Sequence, residues 1–560
     1  MPDMINNLIN SENLYTSWEK IMELVNKTIG QCLKERSLSD GNRMAVEMGR
    51  WSCTFKKLDL ISDLLAGQMI RSLDVTRGTH VGIWSVNSPN WVFTFFALVK
   101  IGAVPVLINT CYKQEEVTGI LNYSDVEVFY YGAGYKTTIY EDIIAGLRQN
   151  TPKVRHFIHI DEKETGTWMN EDDFSDKDVT REQMEKLLRC KEQVDPQDVG
   201  CMIFTSGTTS LPKGVMLSHY SLLNNALSMI NHMRWTRDDK MCVTVPLFHC
   251  FGITAGILAC IAGGMSMHLI PYFRTAKVWD AIEQYHCTIL NGVPSMFLAL
   301  IKKNQYINRK TEGLKSGIIA GSPVTKDEFL EICSRFSAMH LQPSYGQTET
   351  APCVTISAWD DSDEVKAVSA GKVIEHVEVR IVDLDTGKIL GADRDGEIQV
   401  SGYNLMKGYY NLPDANAKTF TTDGWLKTGD IGSFDAGGEL HVTGRIKEMI
   451  IRAGENISPQ EIEQVIRELP WVSAVKVVGV PAEVLQEEIA ACIITKPGCT
   501  IKKGELLDYL SPRLAHYKVP AYILDFAEFP MNASGKFNLK KIRELAANRV
   551  KSGDIITETK

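Results

Sequence analysis

The stretch TSGTTSLPKG, residues 205–214, sets three threonines, two serines, two glycines and one lysine in ten positions. Hydroxyls, permissive backbone and a single cation are the parts of an anion cradle. The stretch is not the common phosphate loop G-x-x-x-x-G-K-[ST]. Counted from Gly207, Pro212 stands where the second glycine belongs, and Gly214 follows Lys213, so no hydroxyl comes after the lysine. Read alone, the segment is also compatible with a Ser/Thr-rich turn, and Lys213 with a solvated surface lysine. Which anion it holds has to be decided by its neighbours along the chain.

On either side of this loop the sequence has the texture of an α/β protein. HVGIWSV (80–86) predicts a strand, NWVFTFFALVKIG (90–102) a helix and AVPVLIN (103–109) another strand. TILNGVP near 290 and GIIAG near 320 repeat the strand-then-turn pattern. Such alternation predicts parallel sheets covered by helices. Residues 160–198 turn polar and acidic, a surface excursion ahead of the opening loop. From about residue 371, VEVRIVD and EIQVSG flank the turn-like LDTGK and predict a small β subdomain. Beyond GRIKE (444–448) the spacing predicts helices around 459–468 and 503–514 and a strand at 474–480.

The totals bound what such a chain can be. At 560 residues it exceeds one ordinary core, so several domains are expected. A formal net charge of −9 argues against a nucleic-acid-binding surface. The 13 cysteines are odd in number and include no C-x-x-C pair, which reads as reduced intracellular thiols without a disulfide framework or a zinc site. The N-terminal residues carry no secretory pattern, and the cytoplasm is the default location. Residues 251–273, FGITAGILACIAGGMSMHLIPYF, are uncharged and long enough to span a bilayer. Gly263-Gly264, His268 and Pro271 interrupt them, so the expectation is a buried helix followed by a buried strand, with no integral membrane segment.

Further motifs follow the opening loop in a fixed order. PLFHCFG lies at 246–252, AGSPV at 320–324, YGQTE at 345–349 and WLKTGD at 425–430. GRIKEMIIRAGENISPQEIE (444–463), LAHYKVP (514–520) and NASGKFNLKKIR (532–543) complete the series. Together they resemble the adenylate-forming superfamily and, within it, the acyl-CoA synthetases. The resemblance runs from CTFKKL (53–58) to Lys536. It implies an α/β fold with a large N-terminal domain, residues 1–444, made of two helix-covered sheets and a small β-barrel subdomain at about 371–444. A hinge at 445–448 and a small mobile α+β C-terminal domain, 449–560, would follow.

The implied chemistry explains the need for such groups. A carboxylate acylates poorly because its leaving group would be an oxide ion. Attack on the α-phosphate of ATP releases pyrophosphate and makes an acyl adenylate, whose leaving group is AMP; the thiol of coenzyme A then attacks the carbonyl. Positioning and charge neutralisation carry the phosphoryl-transfer half. By resemblance, Thr205, Ser206, Gly207, Thr208, Thr209 and Lys213 wrap the departing β- and γ-phosphates. Relatives usually have glycine where this chain has Ser210. Glu349 resembles the Mg²⁺-binding carboxylate, with Thr348 beside the α-phosphate, Tyr345 stacked on adenine, and Gly346 and Gly321 lining the nucleotide site. Asp430 would accept both ribose hydroxyls, a task that suits a carboxylate with two acceptor oxygens and no donor. Arg445 would reach the same ribose or the phosphate.

The remaining assignments divide the two half-reactions. His249, on an apolar stretch, reads from the residues alone equally as a core histidine; the resemblance puts it at the mouth of the acyl pocket. Lys536 would bind the carboxylate and α-phosphate oxygens during adenylation only. Lys447 would be the pivot, and Gly454 would let the RAGEN loop approach a pantetheine arm, with Ala453 standing where many relatives have another glycine. Little chain follows Lys536 and no carrier domain is seen, so free coenzyme A is the expected thiol. The final basic stretch, GKFNLKKIRELAANRVK, reads best as a solvated helix face.

Gly252, Gly256, Ala320, Gly321 and Ser322 are small residues where the acyl pocket is expected. They suit an extended apolar tail, and the motifs are closest to those of medium- to long-chain fatty acyl-CoA synthetases. An aryl-acid CoA ligase and an acyl-AMP ligase loading a separate carrier protein are the alternatives. Partners would be ATP, Mg²⁺, the acid and coenzyme A, with no nucleic acid; oligomeric state is open, a homodimer included.

Overall fold

The computed structural model describes residues 22–160, 169, 181–205, 212–307, 309–452, 455–482, 486–514, 518–531 and 537–556. Most of the acidic excursion, 161–168 and 170–180, lies outside them. The chain divides into two compact units. The larger takes in Leu14–Val379 and Val400–Leu426; the smaller takes in Arg380–Gln399 and Lys427–Lys560.

The larger unit carries two helix-covered sheets, as the alternation together with the resemblance implied. One is nine-stranded, in the order Lys372–Val373, Cys353–Ile356, His340–Gly346, Ser316–Ile319, Ile289–Leu290, Lys240–Val243, Ser266–Leu269, Met44–Met48, Trp51–Thr54. Its middle, from His340–Gly346 to Met44–Met48, is parallel throughout. The other is seven-stranded: Gly408–Tyr409, Lys213–Ser218, Val199–Thr205, Val104–Leu107, His80–Trp84, Val128–Tyr131, His156–His159. Parallel strands need crossover connections, and helices supply them.

The helix predicted at 90–102 forms over Pro89–Lys100, with Ser88 capping it and Pro89 in the first turn. Every residue of it is buried, as expected of a helix that is apolar all round. Burial includes Lys100, fully enclosed, whose ammonium meets Asp59 Oδ1 at 2.6 Å and Asp63 Oδ1 at 2.8 Å. An uncompensated charge there would cost several kcal/mol, so the acidic residues of the neighbouring helix, Phe55–Ser72, are part of the core's design.

The uncharged run 251–273 resolves as the sequence suggests. A short helical turn, Cys250–Gly252, widens into a π-helix over Ile253–Leu258, returns to α-helix over Ala259–Gly263 and ends at Gly264 with φ +70°. The strand Ser266–Leu269 follows. His268 is buried there and its Nδ1 lies 3.2 Å from Glu47 Oε1, the partner a buried imidazole requires. Among the described residues no helix is long and apolar enough to cross a membrane.

Four strands, falling mostly in the smaller unit, follow the order Val377–Val382, Gly396–Gly402, Leu426–Phe434, Leu440–Arg445. No pairing among the described residues closes this path into the expected barrel. A five-stranded sheet follows, built on the long antiparallel pair Val472–Ala482 and Gln486–Thr495 with Tyr522–Asp525 alongside. The predicted helices appear at Pro459–Arg467 and Lys503–Leu510 and pack their isoleucines and leucines into one core.

A buried imidazole makes the larger unit acid-sensitive. His219 is fully buried at the start of helix His219–His232; its Nδ1 accepts the Ile29 N–H at 3.3 Å and its Nε2 meets no partner among the described residues. Burial drags this imidazole from 6.5 down to about 4, against the opposing pull of Asp198 and Asp195. Below its ordinary value the unfolded chain gains a proton that the native state refuses. Stability present above 6.5 is therefore lost as pH falls toward 4. The expected loss from pH 7 to about pH 5 is roughly 2 kcal/mol. His219→Asn keeps an acceptor for Ile29, so its melting temperature should fall less between those pH values than that of the wild type; equal slopes would refute the assignment.

Candidate active site

Both ends of the opening loop are pinned to one antiparallel pair. Val199–Thr205 runs up the seven-stranded sheet, Lys213–Ser218 returns beside it, and Thr205 sits opposite Lys213 in register. Gly214 follows, where a Cβ would lie 2.9 Å from Met202 Sδ and that side chain would have to shift. Ser206, Gly207, Thr208, Thr209 and Ser210 lie outside the described residues. Lys213 is half-buried, and its Nζ sits 4.3 Å from the centroid of the Tyr409 ring.

His249, Gly321, Tyr345, Gly346, Thr348 and Glu349 all follow the carboxyl ends of strands in the nine-stranded sheet. That edge is where open α/β sheets bind ligands. His249 comes after Lys240–Val243, half-buried, its ring 4.5 Å from that of Phe248. Gly321 comes after Ser316–Ile319 with φ +87°, a conformation that a side chain would strain. Tyr345 and Gly346 end His340–Gly346, and Tyr345 pairs with Thr355 of the antiparallel neighbour. A Cβ on Gly346 would fall 1.8 Å from the Pro352 carbonyl oxygen, so only glycine lets the chain fold back here. The single 3₁₀ turn Thr348–Thr350 then carries Glu349 into the interior.

Glu349 is 9% exposed, so it is not a surface glutamate. Its Oε1 accepts the Tyr409 hydroxyl at 2.9 Å, and its backbone oxygen accepts the Met406 N–H at 2.8 Å. Burial, and then the Glu349 charge, push the Tyr409 phenol above its ordinary range, so it stays a donor. The carboxylate also acts on Cys250, whose thiol burial raises to about 12. Lys213 on one sheet and Glu349 at the end of the other are thus joined through one aromatic ring. Tyr409 was missed in the sequence. Its signal is GYYNLPDANAKT (408–419), a glycine-led aromatic pair before a proline-started helix, lying between two motifs.

Of the small residues expected around the acyl chain, Gly252 serves another purpose. A Cβ there would stand 2.2 Å from the Pro246 carbonyl oxygen, so its hydrogen permits a backbone crossing. Gly256 differs. It is buried in the π-helical segment, yet a Cβ would meet only Val243 Cγ1 at 3.9 Å and the Phe251 oxygen at 4.0 Å. Widened helical turns of this kind recur at functional sites.

In the smaller unit, Asp430 and Arg445 face each other across the pair Leu426–Phe434 and Leu440–Arg445, with Arg445 Nε 2.8 Å from Asp430 Oδ1. Asp430 is buried, and its N–H donates to Thr428 Oγ1 at 3.0 Å, which in turn donates to the Ile398 oxygen at 2.7 Å. Lys447 is exposed on the 3₁₀ turn Ile446–Glu448. Burial raises the carboxyl of its neighbour Glu448 despite Arg445 and Lys476. Ala453, Gly454 and Lys536 lie outside the described residues.

Known proteins carry the same arrangement of sequence. The profile of AMP-binding enzymes matches residues 33–410, and that of the AMP-binding enzyme C-terminal domain matches 461–536. The Bacillus subtilis protein YngI, provisionally named an acyl-CoA synthetase, is 35% identical over 539 residues, 93% of this chain and 97% of its own length. The mitochondrial medium-chain acyl-CoA ligase ACSF2 of Bos taurus is 30% identical over 549 residues, 93% of this chain and 88% of its own. The structure of o-succinylbenzoate CoA synthetase from Bacillus subtilis, in complex with its acyl-adenylate intermediate, superposes with a TM-score of 0.76 at 26% identity, covering 93% of this chain and 99% of that one. The chain belongs to the AMP-binding, adenylate-forming enzyme family. Within it, the chain is an acyl-CoA ligase, and ATP and coenzyme A are its co-substrates.

The Gly346 contact yields a direct test. Gly346→Ala should displace Tyr345 and Glu349 by about the overlap its methyl creates, and misplacement on that scale costs on the order of a hundredfold in turnover. Steady-state acyl-CoA formation and a thermal melt measure it. Near-normal turnover would show that this reversal does not position the site.

Proposed function

We infer that this ligase activates a medium- to long-chain fatty acid as its acyl adenylate and passes the acyl group to free coenzyme A. The arrangement of Lys213, Tyr409 and Glu349 at the carboxyl edge carries the reading. It brings a cation from the loop's hairpin and a buried carboxylate from YGQTE onto one ring, the pairing a triphosphate with its metal requires. The loop 205–213 holds the pyrophosphate that leaves, and Lys213 offsets the charge growing on it.

Among the described residues no group of three or more His, Cys, Asp or Glu is placed to hold a metal. A divalent cation would therefore lean on phosphate oxygens and on Glu349, whose hard carboxylate oxygens fit Mg²⁺. Bound there, Mg²⁺ supplies charge neutralisation between phosphate oxygens. Thr348 and Tyr345 orient the α-phosphate and adenine, and Asp430 with Arg445 takes the ribose. His249 directs the carboxylate of the acid. Lys536 serves adenylation alone, and Lys447 in the 445–448 segment is the pivot between half-reactions.

The fatty-acid assignment is supported by the room for at least one further carbon at Gly256 and by the absence of a lysine or arginine in PLFHCFG and AGSPV that could greet a second carboxylate. Pyrophosphate release with a panel of aliphatic and aryl acids, with and without coenzyme A, tests it. Release should require an aliphatic acid and quicken with coenzyme A. Preference for aryl acids, or release indifferent to coenzyme A but answering to a carrier protein, would replace this reading with one of its alternatives. Gly256→Phe fills the space where the tail is expected to run. It should cut kcat/KM for the longest accepted acid by about tenfold or more relative to a short one, the scale of a few methylenes in an apolar pocket. A uniform loss across chain lengths would remove Gly256 from the pocket.

A further inference from the structure

Glu349 and Lys213 come from different sheets, and the segment that ties them together contributes no residue to any of the motifs above. Residues 406–410 form an edge strand and its approaches. Gly408 pairs with Met216 and Tyr409 with Val215; the Lys407 N–H donates to the Met216 oxygen at 2.9 Å and the Tyr410 N–H to the Gly214 oxygen at 2.8 Å. The same strip reaches the other sheet's end through the Met406 N–H on the Glu349 oxygen and the Tyr409 hydroxyl on its carboxylate. Tyr409 is 6% exposed, so both its ring and its hydroxyl act inside the protein.

The strip is itself clamped. Asn416, on the proline-started helix Pro413–Thr419, accepts the Tyr409 N–H at 2.7 Å through Oδ1 and donates Nδ2 to the Tyr409 oxygen at 3.0 Å. One side-chain amide thus satisfies both backbone groups of the tyrosine, as a neighbouring strand would. Gly408 makes room for it, with φ +133° and a would-be Cβ only 3.1 Å from the Asn416 amide. Backbone, ring and hydroxyl of Tyr409 are therefore each fixed by a separate contact.

The phenol offers a ring face to the cation and a hydroxyl that fixes the plane of the carboxylate.

We propose that Tyr409, clamped by Asn416, is a positioning residue that holds Glu349 in its ligating orientation and seats Lys213 on its ring face. The proposal rests on the reading in which Glu349 holds the divalent cation. Tyr409→Phe removes the hydroxyl and keeps the ring. It should raise the dissociation constant of Mn²⁺ in the presence of ATP, followed by the free-Mn²⁺ signal in electron paramagnetic resonance, by about tenfold, the scale of lost outer-shell support for a ligand. The Mg²⁺ half-saturation of pyrophosphate–ATP exchange should rise in parallel. Tyr409→Leu removes the ring as well and should add a rise in KM for ATP at saturating Mg²⁺. The double variant Tyr409→Phe, Glu349→Gln should bind Mn²⁺ no more weakly than Glu349→Gln alone. Asn416→Asp, which keeps the acceptor for the Tyr409 N–H, should shift Mn²⁺ affinity in the same direction by less and guards against a folding defect in the first variant. Wild-type Mn²⁺ affinity in Tyr409→Phe and Asn416→Asp, or additive losses in the double variant, would overturn the proposal. If Glu349→Gln itself leaves Mn²⁺ affinity intact, the metal reading fails and takes this inference with it; if Glu349→Gln weakens binding and Tyr409→Phe does not, only this inference fails.

Discussion

A buried carboxylate needs hydrogen-bond partners that fix its direction. Glu349 is enclosed at the end of a parallel strand, and the hydroxyl of Tyr409 on Oε1 gives it a partner that holds direction without neutralising it. Everything around the site serves that arrangement. Gly346 lets the chain reverse against Pro352, the 3₁₀ turn carries the glutamate inward, and the strip 406–410 closes over it while pairing with the strand that begins at Lys213.

Buried charges elsewhere in the larger unit are handled differently, and the contrast separates structure from function. Lys100 is paired with Asp59 and Asp63, and Asp63 is further held by Lys191 at 2.8 Å. Glu375 accepts Ser228 Oγ and Asn231 Nδ2, each at 2.8 Å, and its Oε2 lies 3.1 Å from His232 Nε2. Burial pushes Glu375 up, but the His232 hydrogen bond and charge, with Ser228, outweigh it and hold the carboxyl at about 2. These groups are held by their own chain, as buried ions in a scaffold must be. Glu349 and Lys213 both also touch one phenol.

Much of the fold was legible because local pattern and tertiary need agree there. The apolar run 90–102 could only be a buried helix, and the uncharged run 251–273 broke at Gly264 where the backbone needs a left-handed residue. The π-widening of Ile253–Leu258 was not legible, since no residue type marks it. The small β subdomain was expected from strand alternation, which tells which residues face inward and not which edges meet; the described residues give it four paired strands. Near the motifs, Tyr409 was not legible, because it meets Glu349 and Lys213, some 60 and some 200 positions away, only through space.

The sequence by itself determined the kind of chemistry, because a hydroxyl-rich loop with a lysine, YGQTE and WLKTGD follow one another in the order that resembles the adenylate-forming superfamily. It also determined the alternating α/β architecture, through hydrophobic runs of strand and helix length. What only the tertiary structure decided is which of those residues meet, and through what. Glycines at 214 and 346 look alike on paper, yet one yields to a methionine side chain and the other to a carbonyl oxygen. The phenol joining cation to carboxylate depends on two sheets bringing their ends together, and such through-space contacts leave no periodic mark along the chain.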